Sequence, residues 1–230
     1  MLFYENLSLA SKTVKILSYY EDKVFDVELM DWACLELTKE LCEMLSSLKS
    51  PNCALLIELQ SDDKQELLNN ITLIKNALKD ASCLFEPEFS LDSTIQAKWW
   101  KIRKGLLPIS ASKRPKGSVI ITEDVCFEMD YFTKGIENIS TLFAKHGFES
   151  IIFGHALSGN VHFIITPLLD DKKQRLSFEK FMQDLINLVI SLKGSIKAEH
   201  GYDGSFCRAR VRRKLTNFIE KLKLFLTLKA

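Results

Sequence analysis

The sequence predicts an α+β fold: a largely antiparallel sheet with helices packed on one face, in ferredoxin-like units that occur in duplicate. Three observations point to it. Apolar runs of strand length alternate with longer amphipathic segments. The order strand, helix, hairpin, helix returns in the second half of the chain. The strand-like runs 151–153 and 161–165 flank a short Ser/Gly/Asn segment, which signals a hairpin.

Taken in order, residues 28–48 place Leu29, Trp32, Leu35, Leu41, Leu45 and Leu48 near helical spacing, and Pro51-Asn52 closes that helix. The run 54–59 reads as a buried strand. Ser61, Asp62 and Asp63 offer N-caps for a helix carrying Leu67, Leu68, Ile71, Ile74 and Leu78 on one side. Residues 83–85 form a short strand candidate, and 93–103 a helix that stops near Gly105 and Pro108. The run 118–122 reads as a strand. Residues 130–145 are an amphipathic helix through Phe132, Ile136, Ile139 and Phe143, with Gly147 just past its end. The clearest helix covers 171–192, with Phe178, Phe181, Met182, Leu185, Leu188, Val189 and Leu192 on its apolar face, and Gly194 follows it. A last amphipathic segment begins at Lys214.

Composition narrows the function classes. With 230 residues, 47% hydrophobic and 27% charged, the chain is an ordinary globular one rather than disordered. Nine glycines and five prolines exclude a collagen-like chain. Thirty-one basic against thirty acidic residues leave a net charge of +1, which argues against broad nucleic-acid binding. No run approaches the ~18 uninterrupted apolar residues of a membrane helix, and the N-terminus lacks the pattern of a secretory signal. Cys34, Cys42, Cys53, Cys83, Cys126 and Cys207 form no C-x-x-C pair, so they read as free thiols in a reducing cytosol and not as ligands of an iron–sulfur cluster. Phosphate-cradling glycine motifs are absent.

The four histidines carry most of the chemical signal. His155 and His162 bracket the hairpin loop. If they face each other, period-two alternation puts both rings on one side of the sheet, with opposed Cβ atoms ~5 Å apart and two nitrogens able to meet one metal. A structural or surface role is the plain alternative for two strand histidines seven apart. Glu199-His200 supplies a carboxylate and an imidazole that point to opposite sides of an extended segment, so one can ligate while the other handles protons. Two imidazoles and one carboxylate leave open metal positions, as in a catalytic site. His146 ends a helix before Gly147 and reads as a C-terminal capping residue.

Two segments are more specific together than either is alone. Gly154-His155 with Gly159-Asn160-Val161-His162 fits G-H-x-x-x-G-N-x-H. Forty residues on, Gly194-Ser195-Ile196-Lys197-Ala198-Glu199-His200-Gly201 fits G-[ST]-[IL]-x-x-E-H-G. In this order they resemble the C-terminal, or cap, domain of FAD-linked oxidases, the D-lactate dehydrogenase and glycolate oxidase type of the vanillyl-alcohol oxidase superfamily. Trp100-Lys101-Ile102-Arg103-Lys104-Gly105-Leu106-Leu107-Pro108 and Ile121-Thr122-Glu123-Asp124-Val125 further resemble its long bacterial members. The resemblance runs over roughly residues 20–201. It divides the chain into a helical lead-in at 1–50, the cap at 51–201 and an atypical tail at 202–230.

The resemblance implies a D-2-hydroxy acid dehydrogenase using FAD and a divalent metal, zinc or manganese. His155, His162 and Glu199 would hold the metal. His200 would take the hydroxyl proton, and Arg103 would clamp the substrate carboxylate, a bidentate task suited to guanidinium. Arg103 reads equally as a helix-end surface charge. Thr122 stands about where some relatives carry a lysine for a second carboxylate, which favours a monocarboxylate substrate. The tail departs from the family after Gly201 and carries a basic cluster from Arg208 to Lys214, either a solvated face or a contact to a membrane surface or phosphate. Nothing in the chain resembles the FAD-binding half, so the isolated chain is expected to bind no flavin and to turn over no substrate. Its expected partners are an FAD-binding domain, in cis or as a separate subunit, and an iron–sulfur domain or other electron-transfer partner. The expected location is the cytoplasm, with peripheral contact to the inner membrane as a variant. A catalytically silent α+β structural or partner-binding module is the alternative.

Overall fold

Period-two alternation in short β-branched and aromatic runs builds the centre of the molecule. The computed structural model describes residues 1–196. Strands β1 (Leu2–Tyr4), β2 (Asp26–Met30), β3 (Cys53–Glu58), β4 (Ile121–Cys126), β5 (Ile151–His155), β6 (Asn160–Ile165) and β7 (Ser195–Ile196) pair antiparallel in one sheet of order β1-β3-β2-β5-β6-β4-β7. The helices are α1 (Leu7–Leu17), α2 (Trp32–Leu37), α3 (Lys64–Ala77), α4 (Ser93–Lys113), α5 (Met129–His146) and α6 (Lys172–Ser191).

The second half is a complete βαββαβ unit: β4, α5, β5, β6, α6 and β7, ordered in the sheet as β5-β6-β4-β7. The first half repeats it as β1, α1, β2, β3 and α3, ordered β1-β3-β2. The units join where β2 pairs with β5, and α4 lies in the connection between them.

Helices α1, α3, α5 and α6 cover one face of the sheet. Val14, Ile74, Ile136 and Leu185 pack there on Tyr4, Val27, Leu29, Leu55 and Phe163. Phe143 of α5 stacks on Phe181 of α6 at 4.9 Å, and both meet Phe163 of β6. The opposite face carries a smaller apolar layer. Met30, Ala54, Leu56, Phe153 and Ile164 lie under Leu35, Trp99, Ile102 and Leu106 from α2 and α4. This layer covers only part of that face, and polar residues occupy the rest.

Several elements differ from the sequence reading. The expected helical lead-in at 1–50 supplies two strands, and the helix expected over 28–48 is instead a strand, a short helix and two turns. Asp26–Met30 alternates polar and apolar side chains and is paired on both sides, by β3 and β5. Asp31 then caps the short α2, and two 3-10 turns, Lys39–Leu41 and Glu43–Ser47, follow. Of the leucines that suggested one helix, Leu35, Leu45 and Leu48 meet in the α2/α4 layer, while Leu29 faces the other side of the sheet. Helix α4 does not stop near Gly105: it runs on to Lys113 with Pro108 inside. Proline removes one backbone donor, while Trp99, Ile102, Leu106 and Ser110 keep a continuous buried stripe. The strand expected at 118–122 is shifted to 121–126 by its ladder to β6. Residues 83–85 form no strand, and one backbone bond links Leu84 to Phe3. The segment from Lys214 lies outside the described residues.

Asp31 ties the units together beyond the ladder. Its Oδ1 accepts from the Cys34 backbone N–H at 2.9 Å, and its Oδ2 from the Ile152 N–H at 3.0 Å. Its own N–H donates to the Ile152 carbonyl at 2.9 Å. Burial pushes its carboxyl up to about 6. Replacing Asp31 by Ala leaves two backbone donors unsatisfied, which costs about 2–4 kcal/mol. A urea unfolding series on the two chains at pH 7 checks this.

Candidate active site

The polar part of the α2/α4 face, which Phe153 borders, is built from alternate residues of four strands. In β2 these are Asp26 and Glu28, and in β5 Phe153 and His155. In β6 they are Asn160 and His162, and in β4 Thr122, Asp124 and Cys126. Two rows cross the sheet. Glu28 stands opposite His155, while Met30, Phe153, His162 and Asp124 stand opposite one another in turn.

The two histidines do share a face, as alternation requires, but they are not directly opposed. His162 pairs with Phe153, so His155 is one diagonal step away. Their ring centroids are 5.6 Å apart with planes at 82°. His162 also stacks on Phe153 at 5.4 Å. A turn of 3-10 helix, Ala156–Ser158, fills the hairpin. Gly159 there has φ +74° and lies against the Phe127 carbonyl, where a Cβ would collide; its own carbonyl accepts from the Phe127 N–H at 3.0 Å. Gly154 lies against the Asn160 carbonyl, where a Cβ would also collide. Both glycines of the motif are therefore backbone approaches that aim the histidine strands.

Charge concentrates around His155. Its Nδ1 is 3.2 Å from Glu28 Oε1 and 3.8 Å from Asp26 Oδ2. Asp26, Glu28 and His155 bring one ligand atom each within 4.8 Å of one another. The carboxylates of Asp26 and Glu28 hold the imidazole proton and push His155 up to about 10. Arg103, one turn after Trp99 on α4, reaches down to this cluster. Its Nε donates to Glu28 Oε2 at 2.7 Å, and its guanidinium lies over the Phe153 ring at 4.5 Å. Arg103 is thus not a helix-end surface charge. Asp124 and His162 are buried, and Thr122 lies on the same face. His146 belongs elsewhere: its Nε2 meets Asp184 of α6 at 2.9 Å, so it joins two helices rather than capping its own.

The structure therefore brings His155, His162 and Arg103 together. Glu199 and His200 lie outside the described residues. Sequence reasoning missed Asp26, Glu28 and Asp124. The signal for the first two was the alternation Asp26-Val27-Glu28-Leu29, obscured by the leucines that follow.

The family model for the C-terminal domain of FAD linked oxidases matches residues 1–204. The chain belongs to this family. The match takes in the first fifty residues together with the β4–β7 unit. A D-lactate dehydrogenase of Archaeoglobus fulgidus is 35% identical over 83 residues, 36% of this chain and 18% of that protein. Among solved structures, 4-ethylphenol oxidase from Gulosibacter chungangensis, in its isoeugenol complex, aligns with TM-score 0.60 and 11% identity over 96% of this chain and 50% of that one. An alkyldihydroxyacetonephosphate synthase aligns with TM-score 0.58 and 11% identity over 84% and 38%. At such identity the two structures speak for the fold alone. The chain spans half or less of each of these proteins. Membership places it among FAD-linked oxidoreductase domains. Among the described residues, no helix is long and apolar enough to cross a membrane.

The His155 charge is directly measurable. A group whose pKa is raised on folding contributes stability that is full below its unfolded value of 6.5 and is lost as pH rises through about 10. In chain freed of divalent metal with EDTA, the His155 ring should stay protonated at pH 8 in a histidine-resolved NMR titration. In an Asp26→Asn/Glu28→Gln chain the midpoint should move back toward 6.5.

Proposed function

We propose that this chain is the substrate- and metal-binding cap of an FAD-dependent D-2-hydroxy acid dehydrogenase, D-lactate-like in its substrate. The observation that carries the reading is Arg103 standing over the same sheet face as His155 and His162, so that a carboxylate-binding cation and two imidazoles share one polar floor. Membership of the family and the partial likeness to a D-lactate dehydrogenase support it.

His155, His162 and Glu199 would hold zinc or manganese, and the donor chemistry fits. Imidazoles and carboxylates suit both ions, and the negative charge of Asp26 and Glu28 beside His155 also favours a divalent cation near its ring. Such an ion polarises the substrate hydroxyl oxygen and lowers its pKa when bound. Arg103 would grip the substrate carboxylate with its two terminal amino groups, its Nε being engaged by Glu28. His200 would take the hydroxyl proton. FAD, held mainly by an FAD-binding domain in cis or on a partner subunit, supplies the hydride acceptor. An iron–sulfur domain or another electron-transfer protein would take the electrons onward. Thr122 leaves its position on the site face uncharged, which suits a substrate with one carboxylate. The cytoplasm is the setting we assign.

Metal content tests the reading. Elemental analysis of the purified chain should return about one zinc or manganese per chain, and a His155→Ala/His162→Ala chain should carry none. Metal-free protein whose stability is unchanged by EDTA would favour the silent module.

A further inference from the structure

We propose that Glu28 is the positioning residue that couples the two binding elements of this site, fixing the ring nitrogen that His155 offers to a metal and the guanidinium edge that Arg103 offers to a carboxylate. The inference rests on the reading of His155 as a ligand and Arg103 as a clamp.

The geometry assigns one oxygen to each task. Glu28 Oε1 is 3.2 Å from His155 Nδ1, and Oε2 accepts from Arg103 Nε at 2.7 Å. The side chain is 3% exposed, so solvent does not compete for either oxygen. The β2–β5 register places Glu28 directly opposite His155, which sets their separation through the sheet. A ring held through Nδ1–H has Nε2 as its lone-pair nitrogen, directed away from Glu28. A guanidinium held through Nε keeps both terminal amino groups for an end-on pair of bonds to a carboxylate. Phe153, 4.5 Å beneath, sets the guanidinium plane.

The two contacts require a carboxylate. Both partners approach as donors, and only a group with two acceptor oxygens satisfies both. An amide has one oxygen and one NH2, so glutamine would aim a donor at either Nδ1–H or Nε–H. Asp26, at 3.8 Å from Nδ1, lies farther from the ring, and among the described residues the ion pair of Arg103 is with Glu28.

The test uses the full 230-residue chain, labelled with 15N-histidine, stripped with EDTA and titrated with zinc alone. In the zinc-loaded wild-type chain, the 15N signals of His155 should show a protonated Nδ1 and a metal-bound Nε2. Glu28→Gln should bind zinc 10- to 100-fold more weakly, about the range for removing an outer carboxylate partner of a ligand histidine, with its far-UV circular dichroism unchanged. Equal zinc affinity in the two chains overturns the inference and leaves the metal reading standing. Zinc on Nδ1 of His155, readable in the wild-type chain even if Glu28→Gln does not fold, also overturns it. A wild-type chain that takes up no zinc overturns the metal reading, and the inference with it.

Discussion

A carboxylate buried on a sheet face must be matched by donors, and the Glu28 side chain organises this molecule around that requirement. Its two oxygens meet a guanidinium from α4 and an imidazole from β5. Removing one partner of such a buried group is costly, ~3–5 kcal/mol, because the remaining charge has no water to return to. The cluster is thus satisfied only when three distant parts of the chain are in place together. The length of α4 serves this arrangement. Its buried stripe continues past Pro108 to Ser110, and Arg103 sits in the middle of the anchored stretch rather than at a fraying end.

The duplicated architecture explains why the groups come from where they do. The first unit contributes acids from β2, the second contributes imidazoles from β5 and β6, and the segment between them contributes the arginine. Helices α1, α3, α5 and α6 crowd the other face, where α5 and α6 lock onto β6 through Phe143, Phe163 and Phe181. That face is the core. On the other, among the described residues, α2 and α4 pack over the apolar part, and the charged and imidazole side chains stand on the strands beside it. Both glycines of the histidine hairpin belong to the same logic, since each lets one backbone press against another and so fixes the direction of the next strand.

Much of this was legible in the residues. Helices α3, α5 and α6, the hairpin and the duplication follow from periodicity and from Gly147 and Asp63 at helix ends. His155, His162 and Arg103 were visible as a motif, and the structure adds that they share one face. The first fifty residues were not legible in the same way. Leu29, Leu35, Leu45 and Leu48 repeat near helical spacing because one strand, one short helix and a 3-10 turn feed the two apolar layers, and spacing alone does not separate that from one helix. Glu28 was hidden with them. Its importance lies in contacts to Arg103 and His155, far away along the chain, and a local pattern carries no information about such a contact. Pro108 misled for the opposite reason: a local rule ended a helix that tertiary packing continues.

The β2–β5 seam gives the molecule an unusual kind of proofreading. Acid and imidazole face each other across the ladder that welds one repeat to the other. Slipping that ladder by a single residue would rotate Asp26 and Glu28 into the oily helix-covered layer and bring Val27 and Leu29 out toward His155. A misjoined pair of repeats would be both unstable and chemically blank. Splicing halves from divergent homologues should therefore yield either a sound domain with an intact polar floor or no domain at all, with little in between.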